Sequence, residues 1–560
     1  MSEPETGAGT GATAGADDDS RVLANSAVMA AGTVVSRLSG YVRSILLAAA
    51  LGNLIHADVF TISNTVPNML YILLAGGVFN AVLVPQLVRA AAHDQDQGAA
   101  YTNRVITLAA LFLGAVTVLL VVGAPWLMRL FVDPGWPPDA RESVVDLARY
   151  CLPQVFFYGM YVLVGQILNA RGRFGPMMWA PIANNVISVA MLVTYLLAFG
   201  SDDPRDGGYT VGREALLGIG STLGIAAQLL ILVPYLAAAG VVVRPRFDFR
   251  GTGLGHTLRL GGWTVLFVVV NQIAYTVVVR LSSGGTASGD PEGTGYSVYS
   301  ASFLIMMVPH SVITVSLATA ILPALSRRAT ADDLLGLGGL LAGTLRTALV
   351  VVVPFAALLP VIAPALAEVL FGYGAAAPYV ENYVPSLALF GPGLLAFTVH
   401  YLMLRGFYAL EQTRTVFLIQ CAVAATNILA AVLLVAATDD RGTSPALVGA
   451  YACAYLVGSL VSAVVLRRAL GGLTPADGSG WPGYLLRLLV AALVSAGAAL
   501  GVRLLLPDLT DDPSTVRAVL ELALLGGVAV GAFLLLARLL RITEVTSVVS
   551  TVLRRRRATR

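Results

Sequence analysis

The chain has 560 residues and a formal net charge of +3; 57% of its residues are hydrophobic and only 12% are charged, with a mean hydropathy of +0.79. A soluble globular protein has about 45–50% apolar and about 25% charged residues, so this class is excluded, and no nucleic-acid partner is expected. The apolar residues form blocks long enough to cross about 30 Å of hydrocarbon, unlike the alternating segments of about ten residues in a membrane barrel. We therefore predict an all-α polytopic membrane protein.

The chain begins with a small, polar and acidic segment, residues 1–20, which lacks the basic and apolar regions of a signal peptide. It is predicted to be a disordered cytoplasmic tail. Splitting the remaining sequence at glycine, proline and charge clusters predicts 14 membrane spans. The spans are 24–51, 57–87, 104–131, 144–169, 177–200, 214–240, 260–281, 296–325, 345–370, 383–403, 415–438, 444–466, 483–506 and 515–537.

The placement of arginine predicts the orientation of these spans. Of the 35 basic residues, all of them arginines, 24 lie in the even-numbered connections and the two tails, and nine lie on the opposite side. Arg405, placed just after the tenth span, belongs to the first group. Because cytoplasmic loops carry an excess of basic residues, both termini are predicted to be cytoplasmic. The basic cluster at 554–557 would be drawn to anionic lipid headgroups, or would serve only as an ordinary cytoplasmic stop.

Three landmarks recur at similar offsets and indicate an internal repeat. Pro67 and Pro309 each begin a Val-Pro stretch within a span, "VPQLVR" at 84–89 resembles "LPALSR" at 322–327, and "LNARGRF" loosely matches "FYALEQTR". Six spans return the chain to its starting side, so the two halves would form a parallel repeat, as in one class of secondary transporters. The predicted organisation is a first lobe, a second lobe, two further helices and a basic tail. Their limits are 21–240, 241–469, 470–540 and 541–560.

The first span carries two arginines, Arg37 and Arg43, and Arg37 lies near its middle, too deep to reach the interface. An arginine within the hydrocarbon is costly and usually faces a bundle interior or a wet cavity. If the first two spans form a hairpin turning near residue 53, the only nearby acid, Asp58, lies too close to the outer rim to pair comfortably with Arg43. A water-filled anion site is therefore favoured over a structural ion pair, and paired guanidinium groups suit a phosphate or pyrophosphate.

The second span presents a polar stripe at a similar depth. Asn64, Asn68 and Tyr71 share one helical face, which predicts a polar cavity wall; the alternative is interhelical hydrogen bonding that serves packing. Pro67 permits a kink in this span. Gly76 and Gly77 permit bending or close helix approach.

Six segments of the chain carry a resemblance to a known family: "SRLSGYVRSILLAAALG", "HADVFTISNTVPNMLYILLAGGVFNAVLVPQLVRA", "ILNARGRFGPMMWAPIANNVIS", "VSLATAILPALSRRA", "LFGYGA" and "RGFYALEQTRT". Together they resemble the MurJ (MviN) family of lipid II flippases in the MOP exporter superfamily. It implies an alternating-access flippase of the bacterial cytoplasmic membrane, with a groove for the polyprenyl tail formed by the last two helices. It also implies functional roles for Arg37 and Arg43 and a structural or gating role for Asp58.

The chain departs from the family pattern at several cavity positions. Many members have an arginine where Tyr71 stands, and an arginine and a glutamate on the eighth helix, where Leu304 and Met307 stand here. His310 is a candidate part-time cation, or else a neutral hydrogen-bonding histidine. Asn271 and Gln272 in the seventh span are candidate polar contacts, or else packing groups.

The resemblance implies lipid II, membrane lipids and cell-wall synthesis proteins as partners. No Walker loop, metal-ligand spacing or activated nucleophile is evident, so neither enzymatic activity nor a cofactor or metal is expected. Two alternatives stay open. One is another MOP-type exporter, either a polysaccharide-lipid flippase or a cation-coupled antiporter, and the other is a cell-wall scaffold that does not transport.

Overall fold

A computed structural model of the chain is a bundle of long helices. It describes residues 32, 35–73, 98–201, 208–248, 254–475, 480–506 and 514–545. We number the helices α1 (35–51), α2 (55–72), α3 (Ala99–Val122), α4 (Pro138–Ala170), α5 (Gly175–Phe199), α6 (Val211–Ala238), α7 (Leu254–Ser282), α8 (Tyr296–Thr330), α9 (Leu334–Phe371), α10 (Val384–Ala409), α11 (Thr413–Ala436), α12 (Thr443–Leu470), α13 (Trp481–Arg503) and α14 (Thr515–Leu539).

The helices confirm the predicted fold class. Within the described residues, 12 helices are long and apolar enough to cross a membrane, and they correspond to α3–α14. The first two predicted spans are helical at 35–51 and 55–72, while 24–31, 33–34 and 74–87 lie outside the described residues. Gly76 and Gly77 therefore lie outside the described residues, and so does the basic cluster at 554–557.

Prolines alter two of the helices that border the centre of the molecule. Helix α2 is interrupted at Asn64, between the segments Ile55–Ser63 and Thr65–Ile72. Pro67 has no N–H to donate to the carbonyl four residues earlier, which favours a break at this point. In α8, the turn His310–Thr314 directly after Pro309 has π-helical geometry, a local widening common where a helix must bend.

The helices pack in two groups, which we call the first lobe (α1–α6) and the second lobe (α7–α12). In the first lobe α6 packs against α4 and α5, and in the second lobe α10 lies between α9 and α12 while α11 contacts α7 and α12. Helices α13 and α14 pack against each other and against α9. The Asn185 amide on α5 fastens α1, donating to the Ser36 carbonyl oxygen at 2.9 Å and to Ser39 Oγ at 2.8 Å.

A buried arginine, Arg346, and a half-buried one, Arg503, hold the C-terminal helices in place. On α9, the guanidinium carbon of Arg346 lies 4.6 Å from the ring centre of Tyr484 and 5.2 Å from that of Trp481, and Arg346 Nη1 lies 3.5 Å from Glu544 Oε1. At the other end of α13, Arg503 Nε lies 2.8 Å from Glu521 Oε1 of α14. Both ends of the α13–α14 hairpin are thereby fixed by charge.

Candidate functional site

A cavity of about 840 Å³ lies between the two lobes. Its lining is rich in tyrosine, phenylalanine and the amide side chains of asparagine and glutamine. Among the lining residues that the structure describes, the formally charged side chains are two arginines, Arg43 from the first lobe and Arg405 from the second, and there is no aspartate or glutamate. The cavity is therefore electropositive, and it suits an anionic group.

The two arginines of the first span lie at different places. Arg43 lines the cavity and is half-buried, and none of the described carboxylates lies within ion-pair distance of it. Arg37 is exposed and lies outside the cavity lining; its Nη1 donates to Ser311 Oγ on α8 at 2.5 Å. Arg37 therefore reaches across from the first lobe to the second.

The predicted polar stripe on α2 is divided between the cavity and the packing behind it. Asn64 and Asn68 line the cavity. Asn64 is committed to its neighbours, because its amide donates to the Phe60 carbonyl at 2.9 Å and its Oδ1 accepts from Gln154 Nε2 at 3.0 Å. Asn68 is exposed within the described part of the lobe and makes no side-chain hydrogen bond there. Tyr71 lies behind the wall, with its ring centre 4.8 Å from that of Tyr158, which lines the cavity.

The second-lobe candidates are also divided. Asn271 and Gln272 both line the cavity; Asn271 Oδ1 accepts from Gln420 Nε2 at 3.1 Å, and Gln272 Nε2 donates across the lobes to the Met69 carbonyl at 3.3 Å. His310 is buried outside the cavity lining. Its ring centre lies 4.5 Å from that of Phe397 and 4.9 Å from that of Tyr401, and these two rings separate it from the cavity.

Asp58 closes one end of the cavity by joining the lobes. This side chain of α2 is fully buried and accepts from the backbone N–H of Ser297 at 2.6 Å and of Tyr296 at 3.1 Å, and from Thr286 Oγ1 at 2.9 Å. Tyr296 and Ser297 are the first two residues of α8. The carboxylate thus caps a helix of the opposite lobe, where the free N–H groups and the helix dipole stabilise a negative charge.

Further contacts between the lobes surround this cap. Asn53 Nδ2 donates to the Tyr379 carbonyl at 2.8 Å, and Ser297 Oγ donates to the Asn53 carbonyl at 3.1 Å. Trp136 Nε1 donates to the Ser283 carbonyl at 2.6 Å. Gly295 lies so close to the Asp58 carboxylate that a Cβ at this position would overlap it. We call this set of contacts the Asp58 latch.

Arg405 was placed in a connection by the sequence analysis, and this placement is wrong. Helix α10 continues to Ala409, so Arg405 lies within the helix and faces the cavity. The apolar residues on either side of it, in "YLMLRGFYAL", were the signal that the helix extends past residue 403. The polar side chain of His400 also lines the second-lobe wall, with its Nδ1 3.0 Å from Ser462 Oγ.

The chain was compared with known protein families and sequences. The family model described as lipid II flippase MurJ matches residues 47–510. The chain is 28% identical over 406 residues to the probable lipid II flippase MurJ of Haemophilus influenzae, which covers 68% of this chain and 75% of that protein. It is 26% identical over 475 residues to the lipid II flippase MurJ of Burkholderia cenocepacia, with 83% and 87% coverage.

Solved structures share the fold. A lipid II flippase MurJ in an inward closed conformation superposes with a TM-score of 0.71 at 16% identity, covering 92% of this chain and 99% of that one. An inward-facing multidrug resistance MATE family transporter of the MOP superfamily gives a TM-score of 0.63 at 17% identity, with 78% and 95% coverage. The fold is therefore that of MOP transporters. Because the family model covers most of the chain, the protein belongs to the MurJ family of lipid II flippases, a family of multi-pass membrane transporters.

Proposed function

We propose that this protein moves lipid II, the undecaprenyl-pyrophosphate-linked precursor of peptidoglycan, from the inner to the outer leaflet of the cytoplasmic membrane. The observation that carries the proposal is the charge of the interlobe cavity, whose described lining includes Arg43 and Arg405 and no carboxylate. A pyrophosphate supplies the opposite charge and the paired acceptor oxygens that guanidinium groups bind best. The relatives named above carry the same activity in their names.

The transport cycle would be alternating access. The Asp58 latch closes one end of the cavity, and with the predicted cytoplasmic N-terminus this is the periplasmic end. The headgroup would enter from the cytoplasmic side, bind at Arg43 and leave after the lobes rock and the latch opens. A negative-inside potential would favour outward movement of an anionic head by about 2.3 kcal/mol per charge per 100 mV.

The rest of the chain fits this cycle. The α13–α14 hairpin, fixed against α9, would provide the groove for the polyprenyl tail. Arg37, Asn68, Asn271 and Gln272 would contact the headgroup or hold the cavity wall, while Pro67 would allow α2 to bend. Membrane lipids, anionic ones at the basic C-terminal tail, and cell-wall synthesis proteins are the further partners we propose.

A cation-coupled antiporter is not favoured, because a cation would need carboxylates in the cavity and the described lining has none. The test is complementation of a strain depleted of its own flippase, with the wild type, Arg43→Ala and the control Arg414→Ala. Arg414 is an exposed arginine of α11 that stacks at 5.9 Å over Trp263, and it does not line the cavity. We expect growth with the wild type and Arg414→Ala and its loss with Arg43→Ala. Growth with all three would refute the site, and growth with none would refute the function.

Mass spectrometry of the lipids that copurify with the protein identifies the substrate independently. Lipid II enriched over bulk phospholipid supports the proposal, and a polysaccharide-linked polyprenyl lipid in its place points to the other class of MOP flippase. Labelling single cysteines introduced into the loops of intact cells tests the predicted orientation of the termini.

A further inference from the structure

The second lobe has a cation of its own at the cavity. Arg405 on α10 is half-buried and lines the cavity. Its guanidinium carbon lies 4.2 Å from the ring centre of Tyr401 and 5.6 Å from that of Tyr408. Its Nε is buried without a hydrogen-bond partner in the described part of the chain, and no described carboxylate pairs with it. Stacking on tyrosine faces stabilises the charge in part while leaving the N–H donors of the guanidinium unused.

The spacing along α10 explains this arrangement. Tyr401 and Arg405 are four residues apart and Arg405 and Tyr408 three, so the three side chains lie on one helical face. The two rings flank the guanidinium along the helix, and the side chain lines the cavity. A guanidinium can offer two parallel N–H groups to an oxyanion.

Arg405 lies far from the closed end and near Arg37. Residue 405 is 21 residues along α10 from its start at Val384, which is roughly 32 Å of helix. Contacts link it to the first lobe: Arg405 stacks on Tyr401, Tyr401 contacts His310, and Ser311 accepts from Arg37. Two cations, one from each lobe, therefore stand at the end of the cavity opposite the Asp58 latch.

From this geometry we infer that Arg405 is a substrate-binding residue of the second lobe, which receives the pyrophosphate of the lipid as the headgroup enters the cavity. This inference rests on the proposed function. Leu304 and Met307 line the wall at the positions of α8 where many family members have an arginine and a glutamate, and Arg405 would supply the positive charge that α8 lacks. Arg43 of the first lobe and Arg405 of the second both line the cavity. A pyrophosphate that enters at the open end therefore meets the cation of the second lobe before it reaches Arg43 of the first.

The experiment measures binding of two probes, lipid II and undecaprenyl pyrophosphate, to the purified full-length protein by native mass spectrometry. Arg405→Ala and Arg405→Gln remove the charge, Arg405→Lys keeps the charge without the planar fork, and Arg414→Ala removes a stacked arginine outside the cavity. A hydrogen bond to a charged group contributes enough free energy that Arg405→Ala and Arg405→Gln should bind both probes at least about tenfold more weakly than the wild type. Arg405→Lys should be intermediate, and Arg414→Ala should match the wild type.

The outcomes separate this inference from the proposed function. If Arg405→Ala and Arg405→Gln lose binding of both probes while their thermal unfolding is unchanged, the inference is supported. If Arg405→Ala fails to fold, the result for Arg405→Gln is used instead, because glutamine keeps most of the side-chain length. Wild-type binding of undecaprenyl pyrophosphate but not of lipid II, with loss in Arg405→Gln, supports the role of Arg405 and refutes lipid II as substrate. Equal binding by wild type and Arg405→Gln, or no binding of either probe by the wild type, overturns the inference.

Discussion

Replacing Asp58 by asparagine should open the closed end of the cavity. Asparagine keeps the size of the side chain but removes its charge, which three donors of the second lobe now stabilise. Its amide also directs N–H groups at a site that consists only of donors. The latch therefore loses contacts between the lobes, while each lobe keeps its own packing.

The magnitude follows from the contacts. A negative charge at a partly buried helix N-terminus contributes up to about 2 kcal/mol, and hydrogen bonds to a charged acceptor contribute about 1 kcal/mol more than neutral ones. The Asp58 carboxylate is fully buried, and its charge carries a desolvation cost that asparagine avoids. This difference offsets part of the sum. We take about 2 kcal/mol as the net loss, which shifts the ratio of closed to open molecules about 30-fold.

The assay is a spin-label distance measurement between the lobes. Arg141 on α4 and Glu381 near the start of α10 are exposed, and each takes a label after Cys151, Cys421 and Cys453 are replaced. The distance distribution should gain a longer population in Asp58→Asn. The matched control is Asp333→Asn, because Asp333 caps α9 within one lobe by accepting from the Gly336 N–H at 2.9 Å. An unchanged distribution in Asp58→Asn, or the same change in both variants, would refute the latch.

Three further predictions concern other contacts. Gly295→Ala should open the same end as Asp58→Asn in the spin-label assay, because its Cβ would overlap the Asp58 carboxylate; an unchanged distance distribution would contradict the close approach. Arg346→Ala should destabilise the folded protein by about 3 kcal/mol, because it removes both the ion pair with Glu544 and the stacking on Tyr484, and a thermal unfolding midpoint equal to that of the wild type would disprove it. The third prediction concerns pH: hydrogen bonds from Arg104 and then Arg246 hold the pKa of Asp248 well below its ordinary value. Its stabilising effect is present above that ordinary value, about 3.9, and is lost as the pH falls toward the depressed one. Acid unfolding of Asp248→Asn should therefore depend less on pH in this range, and identical acid profiles would count against the ion pair.

Most of the helices could be predicted from the sequence because a membrane-spanning helix is a run of consecutive apolar residues. The predicted spans from the third onward coincide with helices of the structure, and their ends differ by a few to about ten residues. The difference that matters most for the site is the end of α10. The tenth span was predicted to end at residue 403, before Arg405, because arginine usually marks a membrane surface, but the helix continues to Ala409. A tyrosine on either side along the helix shields this arginine, so the helix continues past it.

The partners of the site residues were less accessible to prediction. The depth of Asp58 was estimated from the α1–α2 turn, but its partners, Tyr296 and Ser297, lie 238 and 239 residues away, and no local pattern indicates which lobe they come from. The periodicity that placed Asn64, Asn68 and Tyr71 on one face assumed an uninterrupted helix. In the structure α2 is interrupted at Asn64, and the Tyr71 ring packs against Tyr158 instead.

The distribution of charge along the cavity bears on how the two ends are coupled. The acid at the closed end is stabilised by two backbone N–H groups and the Thr286 hydroxyl and not by an arginine, so Arg43 and Arg405 are left for the substrate. Arg405 lies 21 residues from the start of α10, about 32 Å of helix, whereas Arg43 lies eight residues before the end of α1, about 12 Å. The two cations therefore stand at different depths, and an anion that enters at the open end meets Arg405 before Arg43. The Asp58 contacts that must then break contribute about 2 kcal/mol, and a potential of 100 mV supplies about 2.3 kcal/mol for each charge moved. A headgroup that carries negative charge outward therefore gains enough from the potential to offset the loss of the Asp58 contacts.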